Sequence, residues 1–212
     1  MRMTNDALER FRGWPTFTMN DAYVYLSQRN KNATRKSVQV TLSRLVRGGG
    51  RLHHVTKGVF SVGDRAEYSG FAFSPFYYGG LSALMIRDLI DDQVKLEIMT
   101  TKAVRKSSAS LFGGKVEVIL HHVSNIHYLG FGMLQYGGVN VPVSDPEKTF
   151  IDMVYFGIRL SIPDYSSLLR AMDRKRLNAY LKSYGSGFAS RTAEFLKKLD
   201  GIAANGGMEN EH

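Results

Sequence analysis

Lys36, Gln39, Val40, Ser43 and Arg47 stand at i, i+3, i+4, i+7 and i+11. On a helix turning about 100° per residue, that spacing gathers them on one face, with Arg44 at its edge. Val38, Leu42, Leu45 and Val46 take the opposite, apolar face. The polar face has the residue types that read base edges in a major groove. Arg and Lys donate to guanine N7 and O6, Gln pairs with adenine N6 and N7, and a small apolar side chain meets a thymine methyl. Arg35, in the first turn with its free N–H groups, suits a phosphate. Downstream, Lys57 sits at a turn, where it can reach the sugar–phosphate backbone or an adjacent minor groove, and Arg51 stands at the base of the same hairpin.

Such a face needs elements to present it. Thr4 or Asn5 can cap a short helix through ALERF, and Thr18 or Asn20 a second through DAYVYLSQR. Thr34 can cap the third, the reading helix, which stops at Gly48-Gly49-Gly50. RLHHV, a TKG turn and VFSV then form a β-hairpin, Gly58 supplying the permissive backbone. Three helices and a hairpin in this order make a winged helix-turn-helix.

Charge follows the same division. The chain of 212 residues carries +9, and residues 1–65 hold 12 Lys and Arg against 4 Asp and Glu. The remainder is nearly balanced, with 16 against 15. A basic segment joined to a neutral one suggests a polyanion-binding module attached to something else. With no cysteine, disulfides, thiolate zinc sites and a cysteine nucleophile are excluded. No apolar run approaches the ~20 residues of a membrane span, and MRMTNDALERF lacks the apolar core of a secretory signal. A cytoplasmic protein with no membrane partner is expected.

The expected architecture is α+β: the winged helix-turn-helix over 1–63, a linker over 64–73, a mixed α/β domain over 74–202 and a disordered tail over 203–212. In the second domain PFYYGGLSALMIRDLI reads as a helix, with Gly79-Gly80 its weak point. VKLEIMTT, KVEVILHHV and HYLGFGMLQYGGVNVPV read as strands. SDPEKTFIDMVYFG reads as a helix with Asp145 as cap, Pro146 at its first position, Glu147 in the first turn and Gly157 past its end. Phe150, Ile151, Met153 and Val154 form its core side, and DRKRLNAYLKSYG and SRTAEFLKKL follow as helices.

No catalytic constellation emerges. Gly79-Gly80 followed by Asp91, Asp92 and Glu97 faintly suggests a nucleotidyltransferase site. Two magnesium-binding carboxylates must alternate along a strand, however, and Asp91 and Asp92 are adjacent. His121 and His122 are adjacent too, and with His127 read as satisfied or surface histidines rather than metal ligands. His53 and His54 read as polar residues near DNA. FGGK and YGSG are neither Walker nor dinucleotide-binding turns. No cofactor, metal or catalytic residue is expected.

The order of features resembles the AbiEi antitoxins of abortive-infection (type IV) toxin–antitoxin systems, a family also described as transcriptional regulators. The resemblance is carried by LHHVTKGVFSV, then YYGGLSALMIRDLIDDQV, then VPVSDPEKTFIDMVYFG, and spans most of residues 5–200. Lys148 stands where that family commonly has arginine, and residues 101–114 match no pattern of it. The resemblance implies a winged-helix domain that binds double-stranded DNA at repeats in its own promoter and represses its operon. It also implies a second domain needed to neutralise a cognate nucleotidyltransferase toxin. Two rivals stand beside this reading: a one-component regulator whose second domain binds a small ligand, and a degenerate nucleotidyltransferase with a DNA-targeting domain.

Overall fold

The computed structural model describes residues 8–48, 51–91 and 95–206. The chain divides into two compact units, Met1–Ser74 with Ser108–Val118, and Pro75–Ser107 with Ile119–His212. The fold is mixed α+β.

In the first unit residues 8–11 are helical; Thr4 and Asn5, the expected caps, lie outside the described residues. There follow β1 (Phe17–Thr18), α1 (Met19–Arg29), α2 (Arg35–Arg47), β2 (His53–Thr56) and β3 (Val59–Ser61). The strands form an antiparallel sheet in the order β1-β3-β2. Both helices start where the sequence offers an oxygen to the first turn. Thr18 accepts from the Asp21 N–H at 3.2 Å while Asp21 takes the Thr18 N–H at 2.7 Å. Thr34 and Ser37 exchange the same two bonds at 3.1 and 3.0 Å. Each cap stabilises its helix by about 1 kcal/mol. Asn20, the other expected cap for α1, has a different role, described below. Phe11, Phe17, Ala22, Leu26, Val38, Leu42, Leu45 and Leu52 make one core, with the rings of Phe11 and Phe17 stacked at 4.1 Å. Val46, placed on the apolar face by its spacing, packs against that core half-buried.

The segment read as a linker is ordered. Residues Ala66–Phe73 form 3-10 turns with Ser69 and Gly70 buried, and they are counted with the first unit. Residues 108–118 return to the same unit, where Lys115 is ion-paired with Asp64.

The second unit opens with a correction. PFYYGGLSALMIRDLI is not one helix: β4 (Phe76–Tyr78) precedes a short α3 (Gly80–Ile86). Then come β5 (Lys95–Thr100), β6 (Ser108–Leu111), β7 (Val116–His122), β8 (Phe131–Tyr136) and β9 (Val139–Ser144). The mixed sheet runs β6-β7-β5-β4-β9-β8, with β6 and the start of β7 grouped with the first unit. Because β4 lies between β5 and β9, both Tyr77 and Tyr78 are fully buried, one on each face. The helix α4 (Pro146–Phe156) has the expected ends: Asp145 accepts from the Lys148 N–H at 2.8 Å, and Gly157 closes it at φ +70°. Three helices follow, α5 (Ile162–Ala171), α6 (Arg174–Leu181) and α7 (Ser186–Gly206). The helix α7 thus continues through residues 203–206 of the expected tail; residues 207–212 lie outside the described residues. Among the described residues no helix is long and apolar enough to cross a membrane.

Candidate nucleic-acid interface

The helix α2 buries Val38, Leu42 and Leu45 and leaves Lys36, Gln39, Val40, Arg44 and Arg47 exposed. Ser43, in the middle of the polar face, is half-buried. Val40, on the same face, is an aliphatic side chain left 41% exposed. Among the described residues none of Arg35, Lys36, Arg44, Arg47, Arg51 and Lys57 belongs to an ion pair. Their charge is therefore not engaged in an ion pair, which leaves it available to a polyanion.

Arg35 differs from its expected placement as a free phosphate ligand. One guanidinium nitrogen donates to Asn20 Oδ1 at 3.0 Å, and the group lies 4.8 Å from the Tyr23 ring centre. It sits one position before Lys36, about 100° round the helix, so its side chain turns toward α1. A guanidinium has five N–H donors, so this contact fixes its position and leaves donors over. Asn20 and Tyr23, which hold it, are site residues that sequence reasoning missed; a polar residue in the first turn of α1 was the available signal.

The hairpin is tied to the same corner. The Met19 N–H at the start of α1 donates to Gly58 O in the β2–β3 turn at 3.0 Å, and Gly58 has φ +77°, which a side chain would strain. The turn that carries exposed Lys57 is thereby fixed at the N-terminus of α1, whose Asn20 holds the N-terminus of α2. Arg51, also exposed, precedes β2 at the far end of the hairpin from Lys57, beside Leu8, Glu9, Arg12 and Val62. The structure thus brings Lys36, Gln39, Val40, Ser43 and Arg47 together on one helix face and links Arg35 and the Lys57 turn to one end of it. Arg44 stands exposed at the edge of that face, and Arg51 lies apart from it. His54 is exposed against Phe60, their rings 5.4 Å apart, and His53 is half-buried in β2.

The second unit holds polar groups that the sequence reading did not anticipate. Lys148 and Asp152, four residues apart on α4, look like a surface pair, yet they are 0% and 1% exposed. Lys148 Nζ donates to Asp152 and, at 3.0 Å, to the Tyr184 hydroxyl; Tyr77 donates to the other Asp152 oxygen at 2.9 Å. Burial is the larger influence and pushes the Asp152 carboxyl up against the pull of Lys148 and Tyr77. Glu147 is buried as well, accepting from the Asp173 N–H with Arg176 at 3.7 Å. Glu97 lies on β5, 4% exposed, with Oε2 lacking a hydrogen-bond partner and 3.8 Å from an equally unpartnered His121 Nε2. Burial raises the Glu97 carboxyl to about 7 and lowers His121. His121 is thus neither satisfied nor on the surface. His122 meets Lys102 O at 3.1 Å, and His127 meets Ser183 O while stacking on Tyr184 at 3.8 Å. Asp91 is exposed, and Asp92 lies outside the described residues. Among the described residues no three His, Cys, Asp or Glu side chains gather as a metal site.

No family model matches the chain, and no curated protein does. Among solved structures it is similar to the crystal structure of the RV2827C protein from Mycobacterium tuberculosis, with a TM-score of 0.59 and 13% identity over 94% of this chain and 78% of that one. At that identity the likeness is one of fold.

Proposed function

We propose that the first unit is a winged helix-turn-helix that binds double-stranded DNA, with α2 in the major groove and the β2–β3 hairpin as its wing. In this reading Lys36, Gln39, Ser43 and Arg47 contact bases and Val40 a thymine methyl, while Arg35, Arg44 and Lys57 hold phosphates. The observation that carries it is the exposed face of α2, cationic, free of ion pairs and buttressed at its first turn by Asn20 and Tyr23. A helix order with a strand leading into α1 and pairing with the hairpin supports the same reading.

The resemblance to AbiEi antitoxins extends the proposal: the protein represses its own operon, and its second unit neutralises a cognate nucleotidyltransferase toxin. It is then a cytoplasmic binding protein and not an enzyme. Fluorescence anisotropy against the duplex upstream of its gene and a scrambled duplex, at two salt concentrations, tests the DNA half. Tight, sequence-selective binding supports it; equal and weak binding to both refutes it. Growth rescue on co-expression with the neighbouring toxin gene tests the antitoxin half.

One observation favours a second reading, a one-component regulator. The second unit has an apolar groove formed by Ile158, Leu160, Ile162, Tyr165, Phe195 and Leu199, which suits a small apolar ligand. A rise in melting temperature with an apolar metabolite but not with toxin would select it.

A further inference from the structure

The strand β8 ends the second sheet, paired on one side only with β9. Sheet edges are ordinarily blunted by charge, proline, a bulge or shortness. β8 has none of these: its register with β9 runs unbroken over six pairs from Phe131↔Ser144 to Tyr136↔Val139. The hairpin and its approach, residues 128–144, contain no Asp, Glu, Lys or Arg in a chain that is 22% charged. Met133 at its centre is 61% exposed.

The pairing parity fixes which groups face outward. Gly137 and Gly138 both have positive φ, as a two-residue type I′ turn requires. Such a turn is closed by a hydrogen-bonded pair, here Tyr136 with Val139, so Leu134 and Gly132 also bond to β9. The N–H and C=O of Phe131, Met133 and Gln135 therefore point to the open edge. Pro142 confirms the parity: opposite Met133, its missing N–H lies on the β4 side, where β4 pairs only Tyr78 with Val143. Among the described residues no hydrogen bond occupies that outer edge at these three positions.

We propose that β8 is a self-pairing edge, joining two copies of this chain antiparallel about a two-fold axis at Met133. Met133 then faces Met133 of the second copy, and Phe131 and Gln135 face Gln135 and Phe131 across the axis. Three hydrogen-bonded pairs form six backbone bonds. A second copy is the occupant that fits: it has the same length and the same alternation, and an uncharged edge meets itself without like-charge repulsion despite the chain's +9. Closure about a two-fold leaves no open edge on either strand, and it supplies two DNA-binding units to repeated half-sites.

Sedimentation of the full chain between about 1 and 100 µM tests this, alongside Met133→Lys, which sets two ammonium groups side by side at the axis. The expected result is a wild-type dimer and a variant, unchanged in far-UV circular dichroism, whose dissociation constant rises at least tenfold. A wild-type monomer throughout, or a folded M133K variant that dimerises as well as wild type, overturns the proposal. Should M133K not fold, Met133→Cys introduces the only thiol, at a pair whose Cα atoms stand about 5.5 Å apart. A short bismaleimide then links two copies if the edge self-pairs, while Val24→Cys on α1 stays monomeric; no linked dimer from M133C refutes the pairing.

Discussion

Replacing Glu97 with glutamine should change how the stability of the second unit depends on pH. The Glu97 carboxylate is 4% exposed, and Oε2 has no donor of its own. Gly80, at φ +52°, leaves it room, since a Cβ there would stand 1.7 Å from that oxygen. Burial, with the charge of Asp152, raises its pKa from 4.5 to about 7 against the Leu81 N–H, which favours the anion. The folded state therefore binds a proton that the unfolded chain has released between those values. This contribution is fully present below pH 4.5 and lost as the pH rises to about 7. A difference of two to three pH units is worth about 3 kcal/mol. In Glu97→Gln the group cannot ionise, so the variant should gain on wild type by up to that amount between pH 5 and 8. His121, lowered by burial, acts in the opposite direction, its contribution being lost as the pH falls, but it is common to both proteins. Urea unfolding followed by far-UV circular dichroism measures the difference. The single tryptophan, Trp14, lies in the first unit and would report the wrong transition. A difference between the two proteins that stays flat from pH 5 to 8 would refute the reasoning.

The remaining expectations concern folding and grip. Thr34→Ala removes the oxygen that accepts the Ser37 N–H and should cost about 1 kcal/mol in urea unfolding, while weakening DNA binding. Lys148→Met leaves Asp152 buried with only the Tyr77 hydroxyl and should cost about 3–5 kcal/mol; adding Asp152→Leu should restore part of that loss. Gly130→Ala should destabilise by about 2–4 kcal/mol, because its φ is +72° and a Cβ would lie 2.8 Å from that of Lys148. Arg35→Ala should lose about 1 kcal/mol of stability with its Asn20 and Tyr23 contacts. It should also reduce the salt dependence of DNA binding by about one counterion.

What the sequence revealed was local. Thr18, Thr34, Asp145 and Gly157 are legible because a cap is a contact between residues three or four apart. The two faces of α2 are legible because one side meets core and the other does not. The strand β4 is not legible because a central strand buries both faces, so FYY shows no alternation to separate it from a helix. The burial of Lys148 and Asp152 was hidden for a related reason: an i, i+4 charge pair looks the same on a solvated helix as on one covered by Tyr77 and Tyr184. The partner of Asp64 is Lys115, 51 residues on, and the carboxylate opposite His121 is Glu97. No periodicity announces such non-local contacts. At the candidate interface the exposed residues of α2 were legible as a face, whereas the restraint on Arg35 required the packing of α1 against α2.

The claim on which the account turns is that α2 reads bases. Its most direct test is the specificity ratio, affinity for the upstream duplex over a scrambled one, in Arg47→Ala and Lys57→Ala beside wild type. Arg47→Ala should lower the ratio by the roughly 1–3 kcal/mol of a base contact, about 5- to 150-fold. Lys57→Ala should weaken both duplexes alike and leave the ratio unchanged. An Arg47→Ala protein with the wild-type ratio would contradict the assignment of this face.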